Sequence, residues 1–589
     1  MTRQTTKWFA AMCLFLVLNA RTQGFAADDY QVKTEHARIP MSDGVALGAA
    51  IYRPDAAGKF PVLMLLRYFR EGADHGEFFA RRGYVVALVD SRGRGDSEGQ
   101  WKSYVNEPRD GYDAQQWLGR QPWSNGKIGT FGISYNAFTQ LMAAPLGSAY
   151  LKCLFPEEGQ QTNFGHLYND GVMQLNVVFQ FGLFTRGKRQ TQKILSITDP
   201  HYLQLPLISA VDKFPDVQHV KDWFEHSSYD EYWKSYGIKE KYSKIKVPAY
   251  FTTGWYDNLC HENWRNFQGF REQGGSEAAR TRSKILVGPW KHGGSRSYPG
   301  LMDLKLRWCD YWLKGIQNGI DKEPPIKIFV MGANRWRDEH EWPLARTEFT
   351  SFYISSGGKA NSAVGDGRLS TARPSEDSPP DKFTYDPEHP VYTNGGQIST
   401  LVPGPRDRQE TQQRNDILIY TSDPLAEDLE VTGPVKMKLY AASTAVNTDF
   451  TATLTDVHPD GRAIHICEGI RGVTFRESLE QPSFITPGEV YEYTIDMWET
   501  SMVFKKGHRM RLEISSSNFP RYARNQNTDK PLGTSAEVIK AHQTIFHNTK
   551  YPSHLIVPLV PIERPPPIMP DADGTLTLPA SKAEDVETR

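Results

Sequence analysis

Residues 127–144, KIGTFGISYNAFTQLMAA, change character at their middle. The first half is a short apolar run suited to a buried strand, and the second is rich in small and helix-favouring residues. The stretch therefore predicts a strand that breaks into a helix at Gly132-Ile133-Ser134-Tyr135-Asn136. Two readings of Ser134 compete. A serine at such a junction can cap the helix, its oxygen accepting an orphan backbone N–H. It can also be a nucleophile on a sharp turn, as in the pattern G-x-S-x-G, where small neighbours permit the bend. Here Asn136 stands at the second small position with Ala137 behind it. The stretch alone leaves both readings open.

The flanking chain sets the fold class. Short, almost wholly apolar runs end at Tyr68 (PVLMLLRY), Asp90 (YVVALVD), Ser134, Pro156 (YLKCLFP), Asp257 (VPAYFTTGWYD) and Trp290 (KILVGPW). Such runs predict strands buried on both faces, as in a parallel sheet. Helical patterns at 76–82, 109–119 and 136–145 alternate with them, which is the signature of an α/β domain. A hairpin is expected at 37–54 around Ser42-Asp43-Gly44. Residues 157–244, rich in aromatics with helical spacing, break the alternation and read as a helical cap inserted between a first core segment, 27–156, and a second, 245–320. From 326 to 565 many short β-rich runs are separated by Gly, Pro, Asp and Asn, which predicts an all-β sandwich, and 566–589 is a tail.

Composition narrows the function. The 589 residues are too many for one ordinary core. A formal net charge of −1 without a block of like charge argues against a nucleic-acid partner. Residues 1–26 read as a secretory signal peptide: Arg3 and Lys7 precede the apolar run Trp8–Ala20, and Gly24 and Ala26 offer a cleavage site before Ala27. An exported protein, periplasmic or secreted, is expected, with no membrane attachment after cleavage. Cys153, Cys260, Cys309 and Cys467 remain, too few for a disulfide scaffold although one bridge is feasible. No spacing suggests a metal, and no cofactor is expected.

In open α/β sheets ligands bind at the carboxyl ends of the strands. Three strand ends carry Ser134, Asp257 and His292, in the chain order Ser, Asp, His of α/β-hydrolases. A serine hydroxyl needs an imidazole to take its proton and return it to the leaving group, and a carboxylate to orient that imidazole. Taken singly, Asp257 could cap the helix in HENWRNFQGF and His292 could be a loop histidine. Three suitable residue types at three strand ends in a permitted order point instead to acyl transfer. His261 and Cys260 fit less well, and Arg94-Gly95-Asp96 lies in a glycine-rich turn.

At this point the chain resembles the cocaine-esterase-like members of the X-Pro dipeptidyl-peptidase family of serine hydrolases. The motifs are SRGRGDSEG (91–99), GISYNAFTQ (132–140), GWYD (254–257), GPWKH (288–292) and RWCDYWLKG (307–315). The resemblance implies an α/β-hydrolase core, a helical cap inserted after the sixth strand and a C-terminal jelly roll. It implies a triad of Ser134, Asp257 and His292, and an oxyanion hole made by the Tyr135 backbone N–H and the Tyr68 hydroxyl. Two positions depart from the family pattern: Arg67 replaces a proline before Tyr68, and Ala137 replaces a glycine.

The expected substrate is a small ester or amide. Dipeptidyl-peptidase and β-lactam acylase activities are alternatives, as is an inactive carbohydrate-binding protein. Asn258, Leu259 and Cys260 after Asp257 argue against the α-amino-acid ester hydrolases, which place acidic residues there. Glu157 and Glu158 could hold a substrate amine, but a solvated pair at the start of the cap is the simpler expectation.

Overall fold

The computed structural model describes residues 30–186, 195–212 and 218–562. The expected signal peptide and the 566–589 tail lie outside them. The apolar runs form a ten-stranded sheet. Its strands are β1 (Val32–Pro40), β2 (Ala46–Pro54), β3 (Phe60–Arg67), β4 (Val85–Asp90), β5 (Ser124–Ile133), β6 (Leu151–Glu157), β7 (Tyr250–Tyr256), β8 (Lys284–Lys291), β9 (Ile326–Val330) and β10 (Arg335–Glu339). Their spatial order is β1-β2-β4-β3-β5-β6-β7-β8-β9-β10. From β4 through β9 neighbouring strands run parallel, and β1, β2 and β10 add antiparallel edges. All of β4 and β7 is buried, as their unbroken apolar character requires. The strand order reverses beside β3, so the crevice between the carboxyl ends of β3 and β5 falls where a binding site belongs.

Helices α1 (Ala73–Arg81), α2 (Glu107–Gly119) and α3 (Tyr135–Ala143) cross over between these strands. Every residue of α3 is buried, which is why this helix has no polar stripe. Burying Phe138 and Leu141 within it contributes roughly 1.5–3 kcal/mol each. Among the described residues the cap between β6 and β7 is built from short helices, the longest being α4 (Leu175–Phe184), packed into an aromatic core of their own. After β7 comes α5 (Cys260–Gln273), and after β8 comes α6 (Leu301–Cys309).

The C-terminal unit is mostly β. Leu429–Ser443 pairs along its length with Tyr491–Phe504, and Asp449–Val457 lies between Ala463–Gly472 and Arg509–Ser515. Strand pairing crosses the expected boundary at 326. Ile326–Val330 and Arg335–Glu339 are strands of the core sheet, with Ile326 paired to Ile285 of β8. The first strand of the C-terminal sheet is Glu348–Ser355. An alternating strand has the same pattern in either sheet, so only its pairing reveals its owner. Cys153, Cys260, Cys309 and Cys467 are buried free thiols. Among the described residues no helix is long and apolar enough to cross a membrane.

Candidate active site

Ser134 occupies the break between β5 and α3 with φ 60° and ψ −122°. A non-glycine residue held there costs about 1–3 kcal/mol, which the surrounding packing must offset. Gly132 makes the bend possible: a Cβ on it would stand 2.6 Å from Leu65 Cδ1 and 2.8 Å from Asn136 Cβ. The capping explanation fails, because the Ser134 side chain makes no cap hydrogen bond. Its Oγ lies 3.0 Å from Nε2 of His292, and Nδ1 of His292 lies 2.9 Å from Oδ1 of Asp257. The fold thus brings together three residues more than thirty positions apart in sequence.

Asp257 is fully buried at the end of β7, where Thr253 Oγ1 donates to its Oδ2 at 2.9 Å and the Leu259 N–H to its Oδ1 at 3.0 Å. With both oxygens engaged, its remaining lone pair faces the imidazole. His261 is turned away, toward Glu499 of the C-terminal unit at 3.0 Å, and Cys260 is buried among core residues.

Glu157 and Glu158 are not solvated; they are 3% and 0% exposed. The expectation of a surface pair is therefore wrong, and the reason is partners that sequence does not reveal. Glu157 forms a buried ion pair with Lys305 of α6 at 2.7 Å. Glu158, with φ 51°, accepts hydrogen bonds from the backbone N–H groups of Gly293 and Ser295 on the loop that carries His292. Its Oε2 is also 3.3 Å from His292 Nδ1. The histidine thus faces two carboxylates. Burial and then the Asp257 charge push the Glu158 carboxyl up to about 7. Burial alone would lower the His292 pKa, but Asp257 and then Glu158 outweigh it and carry it up to about 9. His166, on the pocket wall, is pushed down to about 3 by burial and by the charge of His292, so it stays neutral.

Tyr68 follows β3 and lines the same cavity as Ser134. Burial raises its phenol pKa, so the hydroxyl keeps its proton. Arg94 of the RGD tripeptide is buried and donates from Nε to the Tyr68 carbonyl at 2.8 Å, which assigns this arginine an internal role. Arg67, where the family pattern has a proline, is held by hydrogen bonds: its Nε donates to Asp90 at 2.8 Å and its Nη1 to the carbonyl of Glu71. Tyr135 begins α3, and the first N–H groups of a helix have no intrahelical partner. Its phenol is held by Glu107, Trp101 and Tyr104, so the ring is pinned. Ala137 fits its position tightly, lying 2.8 Å from where a Cβ on Gly159 would stand.

The cavity above Ser134 holds 250 Å³ and is walled by Val177, Phe181 and Phe184 of the cap and by Ser399 and Thr400 of the C-terminal unit. Among the described residues, two groups could offer three metal-ligand atoms, Asp456 with His458 and His508, and Glu158 with Asp257 and His292. An ion at the second group would compete for the imidazole nitrogen that Asp257 orients.

Residues 43–294 match the family described as X-Pro dipeptidyl-peptidase (S15 family), and residues 318–556 match the X-Pro dipeptidyl-peptidase C-terminal non-catalytic domain. The cocaine esterase of Rhodococcus sp. (strain MB1 Bresler) is 34% identical over 575 residues, 89% of this chain and 97% of that protein. An aminopeptidase from a marine sediment Thaumarchaeota archaeon superimposes with a TM-score of 0.79 at 21% identity, covering 91% of this chain and 97% of that one. An α-amino acid ester hydrolase superimposes with a TM-score of 0.78 at 22% identity, over the same shares of the two chains. The last two likenesses speak for the fold alone.

Proposed function

Since the chain belongs to the X-Pro dipeptidyl-peptidase family of serine hydrolases, we propose that it cleaves a small ester through an acyl-enzyme on Ser134. The observation that carries this reading is the unbroken hydrogen-bonded path from Ser134 Oγ through His292 to Asp257. Ser134 Oγ attacks the substrate carbonyl carbon while His292 Nε2 takes its proton. The Tyr135 N–H and the Tyr68 hydroxyl stabilise the tetrahedral oxyanion. As that intermediate collapses, the imidazolium gives its proton to the leaving oxygen and the acyl group stays on Ser134. Water, deprotonated by His292, then releases the acid and restores the hydroxyl.

An ester is favoured over a peptide with a free amino terminus. Glu157 is taken up by Lys305 and Glu158 by the His292 loop, so neither carboxylate is available to a substrate ammonium. Turnover of short-chain aryl esters against X-Pro anilides tests this. Faster cleavage of the anilides would overturn the preference.

The two carboxylates at His292 make a prediction about pH. The histidine must be neutral to accept the serine proton, and its pKa stands raised to about 9. Activity should therefore rise with pH along an acid limb on the alkaline side of the ordinary histidine range. Glu158→Gln removes one negative charge beside the imidazole, lowers the histidine pKa and moves that limb to lower pH. The pH profile of kcat/KM for both proteins is the measurement, and a limb that does not move would remove the Glu158 charge from the account. Asp257, Glu158 and Arg296 are the charged groups that act on this histidine.

We place the protein outside the cytoplasm, on the strength of the signal-like residues 1–26. The mature chain recovered from its native cell envelope or medium should begin near Ala27, as amino-terminal sequencing would report. Recovery of a chain that begins at Met1 would count against export.

A further inference from the structure

A second cavity of 850 Å³ lies beside the one above Ser134. The two share Glu71, Ile133 and Arg296 in their walls, so they adjoin beside the nucleophile turn. The size difference matters. Sites for small organic ligands hold about 300–1,000 Å³, which the 250 Å³ at Ser134 falls short of and the neighbouring space meets. A substrate larger than a simple ester finds further room past Glu71 and Arg296.

That boundary is an ion pair, with Arg296 Nη2 3.2 Å from Glu71 Oε2. Glu71 is anchored by a hydrogen bond from Asn136 of α3, whereas the Arg296 side chain is 60% exposed. A pair with one partner in solvent contributes little to stability, so opening it costs little. Beyond it the wall is apolar, formed by Leu65, Phe78, Phe131, Leu301 and Met302. The floor is polar: Lys305, paired with Glu157, lies 3.1 Å from His75 Nε2. An ammonium only donates, so Nε2 accepts and the His75 proton sits on Nδ1. Burial and then the Lys305 charge push the His75 pKa down to about 3, which keeps the ring neutral. The ring also stacks on Phe131, with centroids 5.2 Å apart.

We propose that this second cavity binds the leaving group of the substrate, an alcohol with an aromatic or branched apolar body that carries a hydrogen-bond acceptor. The side of the serine decides between leaving group and acyl group. His292 must hand its proton to the leaving oxygen, so that group lies toward His292. The chain that follows His292 supplies Arg296, Tyr298 and Met302 to the rim and wall of the second cavity. The acyl group then occupies the smaller space under the cap. The acceptor on the alcohol meets the His75 Nδ1 proton.

The inference rests on Ser134 being the nucleophile, and its test separates the two. One ester series keeps an acetyl group and enlarges the alcohol from methyl to benzyl and phenylpropyl; the other keeps a methyl alcohol and enlarges the acyl group. Met302→Trp, which fills the half-buried wall, should lower kcat/KM for the large alcohols by about tenfold or more and leave the acyl series and the methyl acetate unchanged. Phe78→Ala, which removes wall instead of adding to it, should also weaken the aromatic alcohols selectively. Reaction of a small fluorophosphonate with Ser134 should proceed at wild-type rate in both variants. A loss confined to the acyl series, an equal loss in both series, or no change in either would overturn the proposal. Failure of the wild-type protein to label at Ser134 would instead remove the nucleophile assignment beneath it.

Discussion

Ser134→Ala should lower kcat for a simple aryl ester by on the order of 10⁶-fold, the scale on which removing a serine nucleophile acts in a hydrolase. The backbone argument predicts little change in folding. Ser134 and alanine bear the same Cβ, so both meet the same strain at φ 60°, and the serine hydroxyl makes no capping bond that alanine would forfeit. What the variant loses is the oxygen that stands 3.0 Å from His292 Nε2. Steady-state kinetics gives the size of the loss, and thermal unfolding shows whether the fold survives. Mass spectrometry after fluorophosphonate treatment should place the adduct on Ser134 in the wild-type protein and find none in the variant. An adduct on another residue, or retained turnover in a folded variant, would end the assignment.

Tyr68→Phe should cost about 10²–10³ in kcat, the usual effect of removing one oxyanion donor. The phenol lines the cavity with Ser134 and stays protonated, so it can donate to an oxygen that becomes charged only in the transition state. Such an interaction disappears from kcat and kcat/KM together and leaves KM little changed. The ring itself should stay in place. It packs 4.5 Å from Tyr135 and 4.4 Å from Phe69 between centroids, contacts that phenylalanine preserves. Arg94 and Arg67 hold the backbone on either side of it through carbonyl and carboxylate partners that the substitution does not touch. Ser134 should therefore still react with a fluorophosphonate. Near-wild-type kcat in a folded Tyr68→Phe protein would send the search for the second donor to the backbone around Phe69.

The strands of the core and the three residues at their ends were legible in the sequence because both obey local rules. A strand buried on both faces must be apolar throughout, so β3, β4 and β7 announce themselves as unbroken runs. Ligands bind at the carboxyl ends of such strands, so the residues just after them are the ones to inspect; that rule picks out Ser134, Asp257 and His292, which the fold brings within hydrogen-bonding distance of one another. The partners of the charged residues obeyed no such rule. Glu157 and Glu158 look like a solvated pair because isolated carboxylates are expensive to bury. Only the fold brings Lys305, 148 positions away, to the first, and the N–H groups of Gly293 and Ser295 to the second. Nothing near Arg67 or Arg94 in the sequence names their partners, Asp90 for the first and the Tyr68 carbonyl for the second, because both lie more than twenty positions away. The pairing of Ile326–Val330 and Arg335–Glu339 with the core sheet was illegible for the same reason: a run of alternating residues specifies a strand and its two faces, but which sheet accepts its hydrogen bonds depends on chain that is distant in sequence and adjacent only after folding.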